Sequence, residues 1–157
     1  EGKSAVASVF GRKFLGYSLW VGAGREVKRK VAAKPLSRFK QRIRELTGRS
    51  GGRSMAEVVV RLRSYMLGWK GYFQLAQTPG IWRKLDEWLR HRLRAIQLKH
   101  WKRGKTMYRE LIQLGAPPLV VRQVAANSRR WWRNADRLLK TVLTIAYFDR
   151  LGVPRLS

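Results

Sequence analysis

The chain has 157 residues, with 35 Lys and Arg against nine Asp and Glu, for a formal net charge of +26. Its 45% apolar content supplies a buried core. No apolar run reaches the roughly 18–20 residues of a membrane-spanning helix, and the lack of Cys excludes disulfides and thiolate metal sites and fits a reducing compartment. So large a charge repels itself and asks for a polyanion, because each neutralised phosphate releases condensed counterions. An anionic membrane surface is the second candidate. Residue 1 is Glu and no start signal or signal peptide opens the chain, so it reads as a fragment of a longer protein.

Residues 14–31 predict a β-hairpin. "KFLGYSLW" forms its first strand, with Phe14, Gly16, Ser18 and Trp20 on one face and Leu15, Tyr17 and Leu19 on the other. "VGAGRE" supplies the turn and "EVKRKV" the return. A lone hairpin is marginal in water, so it should pack on a sheet, one missing from this chain. Pro35 suits a first helical residue, and Leu36, Phe39, Ile43 and Leu46 mark an amphipathic helix. A basic, glycine-rich loop from Thr47 to Ser54 follows.

Ser54 and Glu57 form a capping box that opens a second helix. Its apolar arc is Met55, Val58, Val59, Leu62, Tyr65, Met66, Trp69 and Phe73. Thr78 and Pro79 fit the N-cap and first turn of a third helix, from about Gly80 to Trp101. Met107–Leu114 predicts a short helix stopped by Gly115, Pro117 and Pro118, and Leu119–Asn127 another. "SRRWWRN" (Ser128–Asn134) is a basic aromatic knot. Leu138–Leu151 predicts a final helix with Gly152 at its C-terminal cap.

Catalytic constellations are nearly absent. His91 and His100 are nine residues apart and point to opposite sides of one helix. Two-metal phosphoryl transfer needs clustered carboxylates, whereas Asp86 and Glu87 diverge and Glu110, Asp136 and Asp149 stand apart, placed to temper the positive field or pair locally. The Gly-rich stretch at 48–52 lacks the strand that a phosphate loop follows. The chain reads as non-catalytic by itself.

The third helix carries the clearest functional signal. Trp82, Leu85, Leu89, Leu93 and Ile96 span an arc of about 80° and form its core face. Arg83, Arg90 and Arg94 lie on one flank, in line with Trp101. Arg92, Lys99 and Arg103 lie on the other, near Trp88. From Arg90 to Lys105 there are seven basic residues and no acidic one. A solvated helical face ordinarily mixes signs, whereas cations alternating with Trp suit phosphate pairing and base stacking. On the second helix, Gly68 and Gly71 lie outside the core stripe, each costing roughly 1 kcal/mol against Ala. They mark a close approach by either a neighbouring protein segment or a sugar–phosphate backbone, unless Gly71 merely frays the helix end.

The order "FGRKFLGYSLW", "SYMLGWKGYF", "WRKLDEWLRHRLR", "HWKRGKT" and "AYFDRLGVPRLS" resembles the C-terminal part of bacterial group II intron reverse transcriptase/maturases, over nearly the whole chain. The resemblance implies a mainly α fold: residues 1–33 as the hairpin ending a polymerase palm, 34–103 as the three-helix thumb or X maturase-specific domain, and 104–157 as a small, basic, helical DNA-binding-like region. It implies a bacterial cytoplasmic protein whose partners are group II intron RNA, an RNA template/DNA primer duplex, a DNA target and the rest of the reverse transcriptase upstream. No membrane is among them. The Tyr-Ala-Asp-Asp type polymerase aspartates are not in this chain, so Mg2+ is expected for the missing polymerase domain and no cofactor here. No Cys/His cluster supports an endonuclease.

On the resemblance, the nucleic-acid-binding residues are Arg61, Lys70 and Tyr72 on the second helix and Arg90, Arg92, Arg94 and Lys99 on the third. Trp101, Lys102, Arg103 and Lys105 follow, then Arg129, Arg130, Trp131, Trp132 and Arg133 in a DNA-facing tail. Trp131 and Trp132 equally suit a small core. The rival reading is a general basic RNA- or DNA-binding module without intron specificity.

Overall fold

The computed structural model describes residues 12–48 and 51–157. The architecture is mainly helical, with a small antiparallel sheet at the N-terminal end in the order β1 (Lys13–Phe14), β2 (Tyr17–Val21), β3 (Val27–Val31). Here the structure corrects the predicted first strand. Leu15 and Gly16 both have positive φ, 48° and 82°, as the centre of a two-residue type I′ hairpin requires, so Phe14 turns back to pair with Tyr17. The β2–β3 pair runs in register from Tyr17↔Val31 to Val21↔Val27.

Within this chain the sheet rests on helices. Tyr17 Oη donates to the Tyr72 carbonyl at 2.7 Å, and Tyr72 Oη donates to the Leu15 carbonyl at 3.1 Å. The Tyr17 and Phe73 rings lie 5.3 Å apart. Gln77 closes the far edge: its N–H donates to the Arg29 carbonyl and its side chain accepts from the Arg29 N–H.

Three long helices form the main core: α1 (Ala33–Leu46), α2 (Met55–Tyr72) and α3 (Pro79–Trp101). The predicted arcs meet there. Phe39, Ile43 and Leu46 pack with Val58, Val59, Leu62 and Met66, and with Trp82, Leu85, Leu89, Leu93 and Ile96. Trp69 sits among Phe39, Phe73 and Trp82, with ring centroids 4.3–5.3 Å away. The Ser54–Glu57 capping box is complete in both directions. Thr78 holds the N-cap position of α3 but makes no side-chain cap bond, and its hydroxyl is buried without a partner. Pro79, lacking an N–H, leaves one donor fewer to satisfy there.

Four shorter helices follow: α4 (Gly104–Gln113), α5 (Pro118–Ala126), α6 (Trp131–Arg137) and α7 (Ile145–Arg150). The predicted helix over 138–151 is broken, with turns through 138–144 and α7 restarted by a Thr144 cap on the Tyr147 N–H. The core explains the break. Leu139, Leu143 and Phe148 are all fully buried. On one continuous helix Phe148, nine residues past Leu139, would face about 180° away from it. The interruption brings both inward. Beyond Gly152 (φ 93°) the chain returns as an extended strap that buries Val153 and Leu156.

Candidate nucleic-acid interface

The strap and α7 cover one flank of α3, and that decides what its arginines do. Arg90 has only 1% of its side chain exposed. Its Nη2 donates to Asp149 Oδ1 at 3.0 Å and to the carbonyls of Pro154 and Val153 at 3.2 and 3.4 Å, while Asp86 lies 3.7 Å from Nη1. Asp86 in turn accepts the N–H groups of Leu156 and Ser157. Arg94 is 5% exposed and donates from Nε to the Leu143 carbonyl at 2.8 Å. Burial, and then the neighbouring Arg90 charge, pull the Arg94 pKa down. The Arg155 hydrogen bond, with help from Arg90, holds Asp149 below the usual carboxylate range.

Arg90 and Arg94 are thus corrected from outward contacts to internal clamps. A helical wheel places them on an open flank, but α6, α7 and the strap form a further layer over it. Lys70 is also engaged internally, its Nζ donating to the Arg155 carbonyl at 3.0 Å, and Tyr72 holds Leu15 although its ring is largely exposed. Asp149, which stands apart in the sequence, joins this network from the far end of the chain.

The opposite flank of α3 carries the accessible charge. The half-buried Trp88 indole has three cations within reach: Arg92 at 5.5 Å, Arg44 at 5.7 Å and Lys40 at 6.0 Å from its ring centroid. Arg92 is further anchored by its Nε, which donates to Thr47 Oγ1 at 2.8 Å. Among the described residues no carboxylate lies within 4 Å of Lys40 or Arg44, and both side chains are exposed. Sequence reasoning missed Lys40 and Arg44 because they lie on α1. The available signal was their i, i+4 spacing on the polar side of that helix.

A basic corner joins α3 to α4. Lys102 has φ 54° and ψ −61°, and the Arg103 N–H donates to the Trp101 carbonyl at 2.6 Å, which is a γ-turn of the rare strained hand. The turn leaves Lys102, Arg103 and Lys105 exposed, with Trp101 half-buried against the core. Gly104 follows because a Cβ there would stand 2.5 Å from the Ala125 carbonyl oxygen.

The two tail tryptophans sit differently. Trp131 packs against the core with Lys99 5.5 Å from its ring. Trp132 is 45% exposed, stacks 3.9 Å from His91, and accepts a hydrogen bond from His91 Nε2 at its carbonyl. Arg61, Arg129, Arg130 and Arg133 are exposed. Among the described residues nothing comes within 4 Å of a Cβ built on Gly68 or Gly71.

Among the described residues no three His, Asp or Glu are grouped to hold an ion, and Asp86 and Asp149 are turned onto Arg90. No helix of the described residues is long and apolar enough to cross a membrane. The family model described as Group II intron, maturase-specific domain matches residues 36–115, half of the chain. A comparison with curated proteins finds no match.

Proposed function

This chain belongs to the group II intron maturase-specific domain family, and from that membership we propose that it grips the folded intron RNA through the outer face of α1 and α3 and the α3–α4 corner. The observation that carries this reading is how its charges are sorted. Most of its carboxylates are engaged within the chain: Asp86 and Asp149 on Arg90, Glu57 on a helix cap, and Glu26, Glu45, Glu110 and Asp136 on neighbouring cations. Lys40 and Arg44, drawn together over Trp88, are left to an outside anion.

Structured RNA suits such a face, because A-form helices are read through shape and backbone. Binding would brace the active ribozyme fold and so promote splicing in a bacterial cytoplasm, with no chemistry from this chain's own side chains. Joined to an upstream Mg2+-dependent polymerase, the same face would clamp a template–primer duplex, and the basic tail would meet the DNA target. The Lys40→Ala/Arg44→Ala double variant tests the interface. It should flatten the salt dependence of intron RNA binding by about 0.7–0.9 in logarithmic slope for each phosphate no longer neutralised, with an unchanged helical circular dichroism spectrum. An unchanged slope would remove this face from the interface with RNA.

A further inference from the structure

A cleft of about 350 Å³ opens where α5 ends and α6 begins, lined by Gln123, Asn127, Arg130, Arg133, Asn134 and Leu138. That volume lies within the roughly 300–1,000 Å³ of small-ligand sites. Its lining is unusual for a surface dominated by lone cations: three carboxamides stand between two exposed arginines. The structure assigns to this cleft the capture of one unpaired nucleotide, its base edge read by the carboxamides and its phosphate held by Arg130 and Arg133.

The local bonding sets this up. Asn127 Nδ2 donates to the Gln123 carbonyl at 3.0 Å, and Asn134 Nδ2 donates to the Asn127 carbonyl at 3.1 Å, which staples α6 to the end of α5. With both amide nitrogens engaged by main chain, the two Oδ1 atoms remain as acceptors. Asn134 is 3% exposed, so its amide is fixed in place. Gln123 is exposed, and among the described residues its side chain makes no hydrogen bond, leaving a donor and an acceptor side by side. Any unpaired base offers a donor beside an acceptor, but adenine presents its N6 amino group beside an acceptor on both its Watson–Crick (N1) and Hoogsteen (N7) edges, so it meets Gln123 in either orientation. No carboxylate among the described residues lies within 4 Å of Arg130 or Arg133, so both can meet a phosphate or stack on the base. Unpaired bases splayed from loops and bulges are the ones proteins read by hydrogen bonding and guanidinium stacking.

This inference rests on the nucleic-acid reading above but adds base identity, which a backbone grip does not supply. The test uses the full chain in fluorescence-anisotropy titrations. The probes are a labelled RNA hairpin without a bulge, the same hairpin with one bulged A, C, G or U, and its DNA counterparts. The adenine bulge should bind tighter than the other bulges by roughly 5-fold or more, the discrimination expected of one good base contact. Gln123→Ala and Gln123→Glu should each collapse that preference, measured relative to the bulge-free hairpin. Arg130→Ala/Arg133→Ala should reduce the gain from any bulge. An equal gain in DNA assigns the cleft to nucleotides of either sugar, and a gain in RNA alone adds a 2′-hydroxyl contact. No base preference, a preference for another base, or one that survives both Gln123 variants overturns the proposal. Weak, salt-insensitive binding of the bulge-free hairpin would instead sink the backbone-grip reading.

Discussion

Replacing Arg90 by Ala should unfold the chain more easily without loosening its hold on RNA. The guanidinium is buried and serves Asp149 and two strap carbonyls, with Asp86 alongside. Removing one partner of a buried pair costs about 3–5 kcal/mol, because the other charge is left uncompensated. Asp149 keeps Arg155, and Asp86 keeps its main-chain donors, so the loss should fall at the low end, about 3 kcal/mol. For a chain of this size that is a melting temperature lower by roughly 6–12 °C. Arg44→Ala is the counterpart. Its side chain is exposed, so stability should move by no more than about 0.5 kcal/mol, while the logarithmic salt slope of RNA binding drops by roughly 0.8. Thermal unfolding followed by circular dichroism, paired with anisotropy titrations at several salt concentrations below the melting range, reads both effects. An Arg90→Ala protein that melts like the wild type but binds RNA with a reduced slope would refute the internal role given to this residue.

Gly68→Ala and Gly71→Ala meet open space and should each stabilise α2 by about 0.5–1 kcal/mol in urea unfolding. A loss of RNA affinity in either would place the RNA backbone against α2. Gly104→Ala should cost about 1–3 kcal/mol, since its Cβ would strike the Ala125 carbonyl. Lys102→Gly should raise stability by about 1 kcal/mol by relieving the positive-φ turn, yet weaken RNA binding by removing a corner cation. Asp149 has a depressed pKa in the folded chain, so the stability it contributes is complete above the ordinary carboxylate value and lost as pH falls through its lower folded value. The urea midpoint should therefore fall on acidification below about pH 4, and Asp149→Asn should show a smaller fall.

Much of the fold was legible because local rules and packing agree. The spacings of α1, α2 and α3 became the core, and the S-x-x-E signature became a complete cap. What failed was decided by contacts distant in sequence. The break after Arg137 follows from burying Leu139 and Phe148 on one side, and from the Leu143 carbonyl turning to Arg94. The Leu15–Gly16 turn puts a leucine at positive φ, which residue type argues against. For the candidate site, the wheel of α3 correctly separated core from flank but could not show which flank is covered. Arg90 finds Asp149 fifty-nine positions later, and Trp88 draws two of its three cations, Lys40 and Arg44, from α1. Charge density alone does not separate such residues, whereas burial divides them into internal clamps and exposed cations.

The most direct test of the central claim is a competition titration at low and high salt, with the labelled intron RNA transcribed from the DNA flanking the gene and an unrelated structured RNA of equal length as competitor. Maturase binding predicts that the intron retains an advantage of tens-fold at the higher salt, because shape-matched contacts outlast counterion release. Equal competition that fades for both RNAs as salt rises would contradict it, and would leave this chain a general basic clamp.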